Sequence, residues 1–169
     1  MIFDVILALV LIICLVTDVC KQKIYNIVIF PAILVSLALN VWSGGLVGFK
    51  FSLVGFFTGF AILLLPYLMG GMGAGDVKLL AFIGALKGSI FVLNTAMFMG
   101  VIGGVIAIAI MISKKQLALF FKSLFKWFYS FFIGIRYKFE FSASEKYPYG
   151  IAIVLGAFIC LFFKEAWII

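Results

Sequence analysis

Asp18 and Asp76 are the residues of this chain whose type and setting could do chemistry. The sequence has 169 residues, only three of them aspartates, and no histidine. Asp18 closes a long apolar run in LVTDVCKQKIYN, and Asp76 opens another in GGMGAGDVKLL. The third, Asp4, lies near the start of the first apolar run and reads as a solvated charge at a helix end. An ionised carboxylate at membrane depth is costly, so it pairs or lines a wet cavity. Two carboxylates held close together share one proton, because both cannot ionise comfortably. Such a pair is a hydrolytic device. Its ionised member takes a proton from water, and its protonated member polarises the scissile carbonyl. Without histidine, Ser-His-Asp and Cys-His nucleophiles are excluded. The same two residues also fit a blander reading as independent helix-end charges. Asp76 would then favour the N-terminal dipole of its helix, and Asp18 would pair with Lys21 or Lys23.

The surroundings of Asp76 favour the pair. Gly70, Gly71, Gly73 and Gly75 crowd the six residues before it, a poor composition for a helix interior. Glycine permits positive φ and close backbone approach, so an extended peptide could lie against this stretch. The competing use of such glycines is a tight turn with close helix packing. Cys14, Cys20 and Cys160 form no CxxC pair and read as buried, inert thiols rather than a metal site.

The elements that must carry these acids belong in lipid. The chain is 67% hydrophobic, 18% aromatic and only 11% charged, with a mean hydropathy of +1.36. A soluble domain averages near 25% charged, and one of this size leaves roughly a third of its unfolded surface exposed. A soluble enzyme and a nucleic-acid binder are therefore excluded. The formal net charge of +7 points instead to anionic lipid and to membrane orientation.

With about 20 apolar residues needed per span, the candidate spans are 2–17, 27–42, 51–69, 76–87, 89–112 and 148–164. The expectation is an all-α polytopic membrane protein of about six transmembrane helices, forming one domain over 1–169. The fourth span is short and either borrows length from its polar end or is re-entrant. The first run lacks a basic leader and a small-residue cleavage site, so it reads as a membrane helix, with no soluble domain appended. Alternate loops hold 10 of the 13 basic residues, which assigns them, and with them Asp18 and Asp76, to the cytoplasmic side of the cell membrane. Both termini then lie outside. In segment 114–140, Lys115, Lys122 and Lys126 share one side among Leu and Phe, which predicts an amphipathic helix in the cytoplasmic interface.

Gly73-Ala74-Gly75-Asp76 resembles the GxGD motif of intramembrane aspartyl proteases, and GGMGAGDVKLLAFIG, residues 70–84, resembles its prepilin peptidase form. Asp18 followed by Lys21, Lys23, Ile24 and Asn26 is similar to that family's first-aspartate segment, with Tyr25 where proline is usual. Tyr147-Pro148-Tyr149-Gly150 resembles the Pro-Phe-Gly opening of its last helix. The resemblance is to the type IV prepilin and archaeal preflagellin peptidases, which remove a short basic leader from pilin-like precursors at the cytoplasmic face. It implies Asp18 and Asp76 as the catalytic pair and Gly73 and Gly75 as substrate-site backbone. Asn26, Lys78, Pro148 and Gly150 would be supporting residues. It implies a pilin-like or preflagellin-like precursor as partner, besides membrane lipid, with no metal or organic cofactor and no nucleic acid. The larger members that also N-methylate their product carry an inserted domain with paired cysteines. This sequence has neither and looks like the compact peptidase-only members that serve tight-adherence pili, so methyl transfer is not expected. Two other readings fit the residues alone. One is a small ion- or proton-coupled transporter, with the acids as ion ligands. The other is a noncatalytic membrane assembly subunit.

Overall fold

A computed structural model describes residues 2–21, 23–68, 71–113 and 149–163. Five helices occur among them: α1 (Ile2–Lys21), α2 (Asn26–Leu68), α3 (Ala74–Lys87), α4 (Ser89–Ser113) and α5 (Tyr149–Phe162). The chain forms two compact units, Met1–Ile102 with Lys146–Ile169, and Gly103–Glu145. Of the second, only the end of α4 is described.

The apolar runs become helices because lipid offers no partner for a free backbone amide. In α1, Leu7, Leu11, Cys14 and Asp18 are buried. Their spacing of three and four residues makes one stripe along the helix. In α3 nearly every side chain from Asp76 to Leu86 is buried, Lys78 being the exception. This helix is the core of the first unit.

The 43 residues of α2 are broken at Gly45, whose φ of 55° and ψ of −134° are not helical. Its two limbs fold back on each other. Asn40 Nδ2 and Ser52 Oγ both donate to the Ala85 carbonyl of α3, at 3.2 and 2.6 Å, although twelve residues of straight helix would separate them by about 18 Å. Both limbs thus wrap α3. The contact is made by glycines. A Cβ on Gly55 would lie 2.0 Å from the Gly84 carbonyl oxygen, and one on Gly59 would lie 2.4 Å from that of Leu80. Small residues let backbones approach where apolar side chains gain nothing over lipid.

A second left-handed glycine, Gly88 at φ 86°, turns α3 into α4 against the ring of Phe51. Near the same end, Lys87 forms an ion pair with Asp4 of α1. Asp4 is therefore not the solvated charge its position suggested. Gly156 of α5 packs on the backbone of α4, where a Cβ would meet Thr95 O and Met99 N at 2.9 Å.

The expectation of about six transmembrane helices is overturned. Only three described helices are long and apolar enough to cross a membrane: Ile2–Lys21, Asn26–Leu68 and Ser89–Ala109 within α4. Expected spans 27–42 and 51–69 lie on the two limbs of α2, which join at Gly45 without a separate loop. Expected spans 76–87 and 148–164 become α3 and α5, of 14 residues each, which reach about 21 Å against a hydrocarbon core of about 30 Å. The expected interfacial segment 114–140 lies outside the described residues.

Candidate active site

Asp18 sits in the last turn of α1, and Asp76 in the first turn of α3. A cleft of about 330 Å³ has both carboxylates in its lining, with Gly73 and Gly75 along one edge and Ile24, Tyr25 and Asn26 along another. The structure thus brings together both predicted acids and both predicted glycines. It also brings in the connector between α1 and α2, including Lys23.

Local sequence fixes Asp76. It is the third residue of a helix that begins after Gly73. The Gly73 N–H donates to Asp76 Oδ2 at 3.2 Å, and the Asp76 N–H donates to the Gly73 carbonyl at 3.1 Å. The carboxylate thereby satisfies an amide that the helix start leaves free. Asp76 is only 8% exposed. It lies outside the three helices long and apolar enough to cross a membrane, and burial pushes its carboxyl up to about 6; the Gly73 N–H opposes this and the charge of Asp18 adds to it.

Asp18 is 7% exposed, and its Oδ2 has no hydrogen-bond partner among the described residues. A buried carboxylate oxygen left in this state needs water, a proton or a ligand. Its seat is the first turn of α5. A Cβ on Gly150 would stand 2.3 Å from Asp18 Oδ2, so only glycine leaves room for the carboxylate there.

The other glycines act through space rather than through unusual torsion. Gly73 has φ −80° and ψ 148°, which any residue adopts. Gly75 is helical, and a Cβ on it would lie 2.9 Å from that of Ile24. The positive φ that the cluster could have supplied occurs instead at Gly45 and Gly88 among the described residues. Asn26 and Lys78 meet each other: Lys78 Nζ donates to Asn26 Oδ1 at 2.8 Å and stands 5.1 Å from the centre of the Phe30 ring. This tie fixes the start of α2 to α3 beside the cleft. Pro148 lies outside the described residues. Among the described residues no three His, Cys, Asp or Glu side chains gather as a metal site would require. Sequence reasoning did not single out Ile24 and Tyr25 as site residues, although their place directly after the first aspartate's basic stretch was the available signal.

No curated protein and no solved structure matches the chain. The Type IV leader peptidase family matches over residues 5–108. That stretch holds both aspartates, Gly73, Gly75 and the Asn26–Lys78 tie, and stops before Gly150. With more than half of its length matched, including both acids of the cleft, this chain belongs to the type IV leader peptidase family.

Proposed function

We propose that this aspartic endopeptidase cuts its precursor with Asp18 and Asp76 acting as one acid–base pair. Its reaction is the removal of the leader from type IV pilin-like precursors. The observation that carries the assignment is the single cleft with both buried carboxylates in its lining. The pair holds one proton. The ionised carboxylate takes a proton from a water lying between the two groups, and the resulting hydroxide adds to the scissile carbonyl carbon. The protonated carboxyl gives its proton to the carbonyl oxygen, forming a neutral tetrahedral diol. Collapse of the diol breaks the C–N bond. The amine leaves with the proton of one carboxyl while a diol hydroxyl gives its proton to the other carboxylate, so the pair stays singly protonated. General acid–base help of this kind contributes about 10²–10⁴-fold, and the buried setting strengthens it.

The start of the precursor's apolar segment lies extended in the cleft along Gly73 and Gly75, with the Ile24 side chain packed on Gly75. Lys21, Lys23 and Lys78 at this end of the helices support a cytoplasmic location for the cleft. α1 then begins outside. α5 starts beside Asp18 and runs away from the cleft, which supports an external C-terminal end as well. The basic leader stays in the cytoplasm, held by anionic headgroups and the acids.

The test is reconstitution with a pilin-like precursor and mass spectrometry of the product's new N-terminus. A single cut at the leader junction is expected. Asp18→Asn and Asp76→Asn should each abolish it while still accumulating in the membrane. A defined cut retained by either variant removes that carboxylate from the chemistry.

A further inference from the structure

The two acids stand on helices that are anchored separately. α3 is wrapped by α2, whereas α1 packs chiefly on α5 and meets α2 and α3 over only short stretches. Between its two acids, the buried face of α1 is Leu7, Leu11 and Cys14. Such a stripe has no strong preference among registers, because moving it by one turn exchanges one apolar contact for another. In lipid even that burial gains little. A slip of one turn would nevertheless carry Asp18 about 5.4 Å past Asp76.

One contact between α1 and α3 does specify register. Asp4 and Lys87 form an ion pair with side chains 31% and 11% exposed. Fourteen residues separate Asp4 from Asp18, about 21 Å along α1, and the two lie within about 40° of each other around the helix. Eleven residues separate Asp76 from Lys87, about 17 Å along α3 and within about 20°. Each helix therefore carries a cleft acid at one end and an ion-pair partner at the other, on the same face. The helices run antiparallel, so the two acids share the end that holds the cleft, and anion meets cation at the far end.

We propose that the Asp4–Lys87 ion pair is the register pin of the active site, holding α1 against α3 so that Asp18 and Asp76 face each other. The inference rests on the reading of Asp18 and Asp76 as the catalytic pair. A partly buried ion pair adds little net stability, and its best-attested use is to select one register among near-equivalent ones. Asp4 and Lys87 are positioning residues and touch no substrate.

The test compares wild type, Asp4→Asn, Lys87→Met and the charge-swapped double variant Asp4→Lys/Lys87→Asp, with Asp18→Asn as control. Each is reconstituted with a pilin-like precursor, and kcat, KM and the thermal midpoint are measured on folded enzyme. Each single variant should lower kcat by about 10–100-fold, the scale set by small misplacements of reacting groups, with KM unchanged. The swap should restore kcat to within about threefold of wild type, since it rebuilds the pair with its ends exchanged. If Lys87→Met does not accumulate, Asp4→Asn, which keeps the shape and one hydrogen bond, and the swap carry the comparison. Wild-type kcat in the single variants overturns the proposal, as does a swap that stays as slow as they are. A lowered midpoint with intact kcat also overturns it, since the pair would then only stabilise. Cleavage by Asp18→Asn instead removes the catalytic pair itself, an outcome read without any change at positions 4 or 87.

Discussion

The two cleft acids differ in how they are held, and that difference can be measured. Asp76 accepts an amide hydrogen bond, yet its carboxyl sits at about 6 rather than its ordinary 3.8, chiefly through burial. A folded-state value above the unfolded one means that the folded protein favours the protonated form. Stability is then full below pH 4 and falls as pH rises through about 6. Asp76→Asn keeps the shape and the Gly73 hydrogen bond without the charge. Thermal unfolding should therefore find the variant more stable than wild type at pH 7.5, by at most about 3 kcal/mol, and equal to it near pH 4. A variant less stable than wild type at pH 7.5 and equal to it near pH 4 would show instead that the charge stabilises the fold. Gly150→Ala makes the complementary prediction at Asp18. Its methyl would stand 2.3 Å from Oδ2, so the carboxylate must move, and leader removal should fall by about tenfold or more in protein that still accumulates. Both aspartates, Gly73 and Gly75 were legible in the sequence because the motif is local, and Gly150 because it opens its helix. The Asp4–Lys87 pair was not, because its partners lie 83 residues apart and each alone looks like an ordinary helix-end charge.

At the scale of elements, the account depends on α2 folding back around α3. Gly45 permits this by a φ of 55°, a region where a side chain costs about 1–3 kcal/mol. Gly84 permits it by contact, its absent Cβ falling 2.0 Å from the Gly55 carbonyl oxygen. Gly84→Val must separate the two backbones. Membrane fractions should then hold far less folded protein, seen as loss of a cooperative thermal transition, whereas Gly100→Ala, with open space around its Cβ position, should leave that transition unchanged. A cooperative transition retained by Gly84→Val would mean that the seam is not what holds α3. This level was partly legible. The gap between expected spans 27–42 and 51–69 marked an interruption, and the shortness of 76–87 was visible in Lys87. The sequence pattern did not show that helix resumes directly after Gly45, because one residue in an unusual conformation leaves no separate loop to recognise. Nor did it show that only three of the described helices are long and apolar enough to cross, because an apolar run reads alike in a short helix and in a spanning one.

For the whole molecule, the central expectation is a membrane peptidase whose cleft opens at one end of its helices. All five described helices are apolar, and three are long enough to cross. Cys20 reports on orientation. It lies two residues beyond Asp18 and is exposed, while Cys14 and Cys160 are buried. A membrane-impermeant maleimide should label it from the cytoplasmic face, in inverted vesicles, and not from the outside in intact cells. Labelling from outside would place the cleft on the wrong side for a precursor whose leader stays in the cytoplasm. Composition made the membrane legible at once, since 67% hydrophobic residues exceed what a soluble domain of this length can bury.

The most direct measurement is the rate of leader removal by wild type, Asp18→Asn, Asp76→Asn and the double variant, all reconstituted at equal folded concentration. Residues that work as one acid–base unit are not additive. Each single variant should fall to the background rate, and the double variant should be no slower than either. Substantial cleavage by one single variant, or a double variant slower than both by the product of their separate losses, would contradict a shared pair and leave the two carboxylates as independent groups.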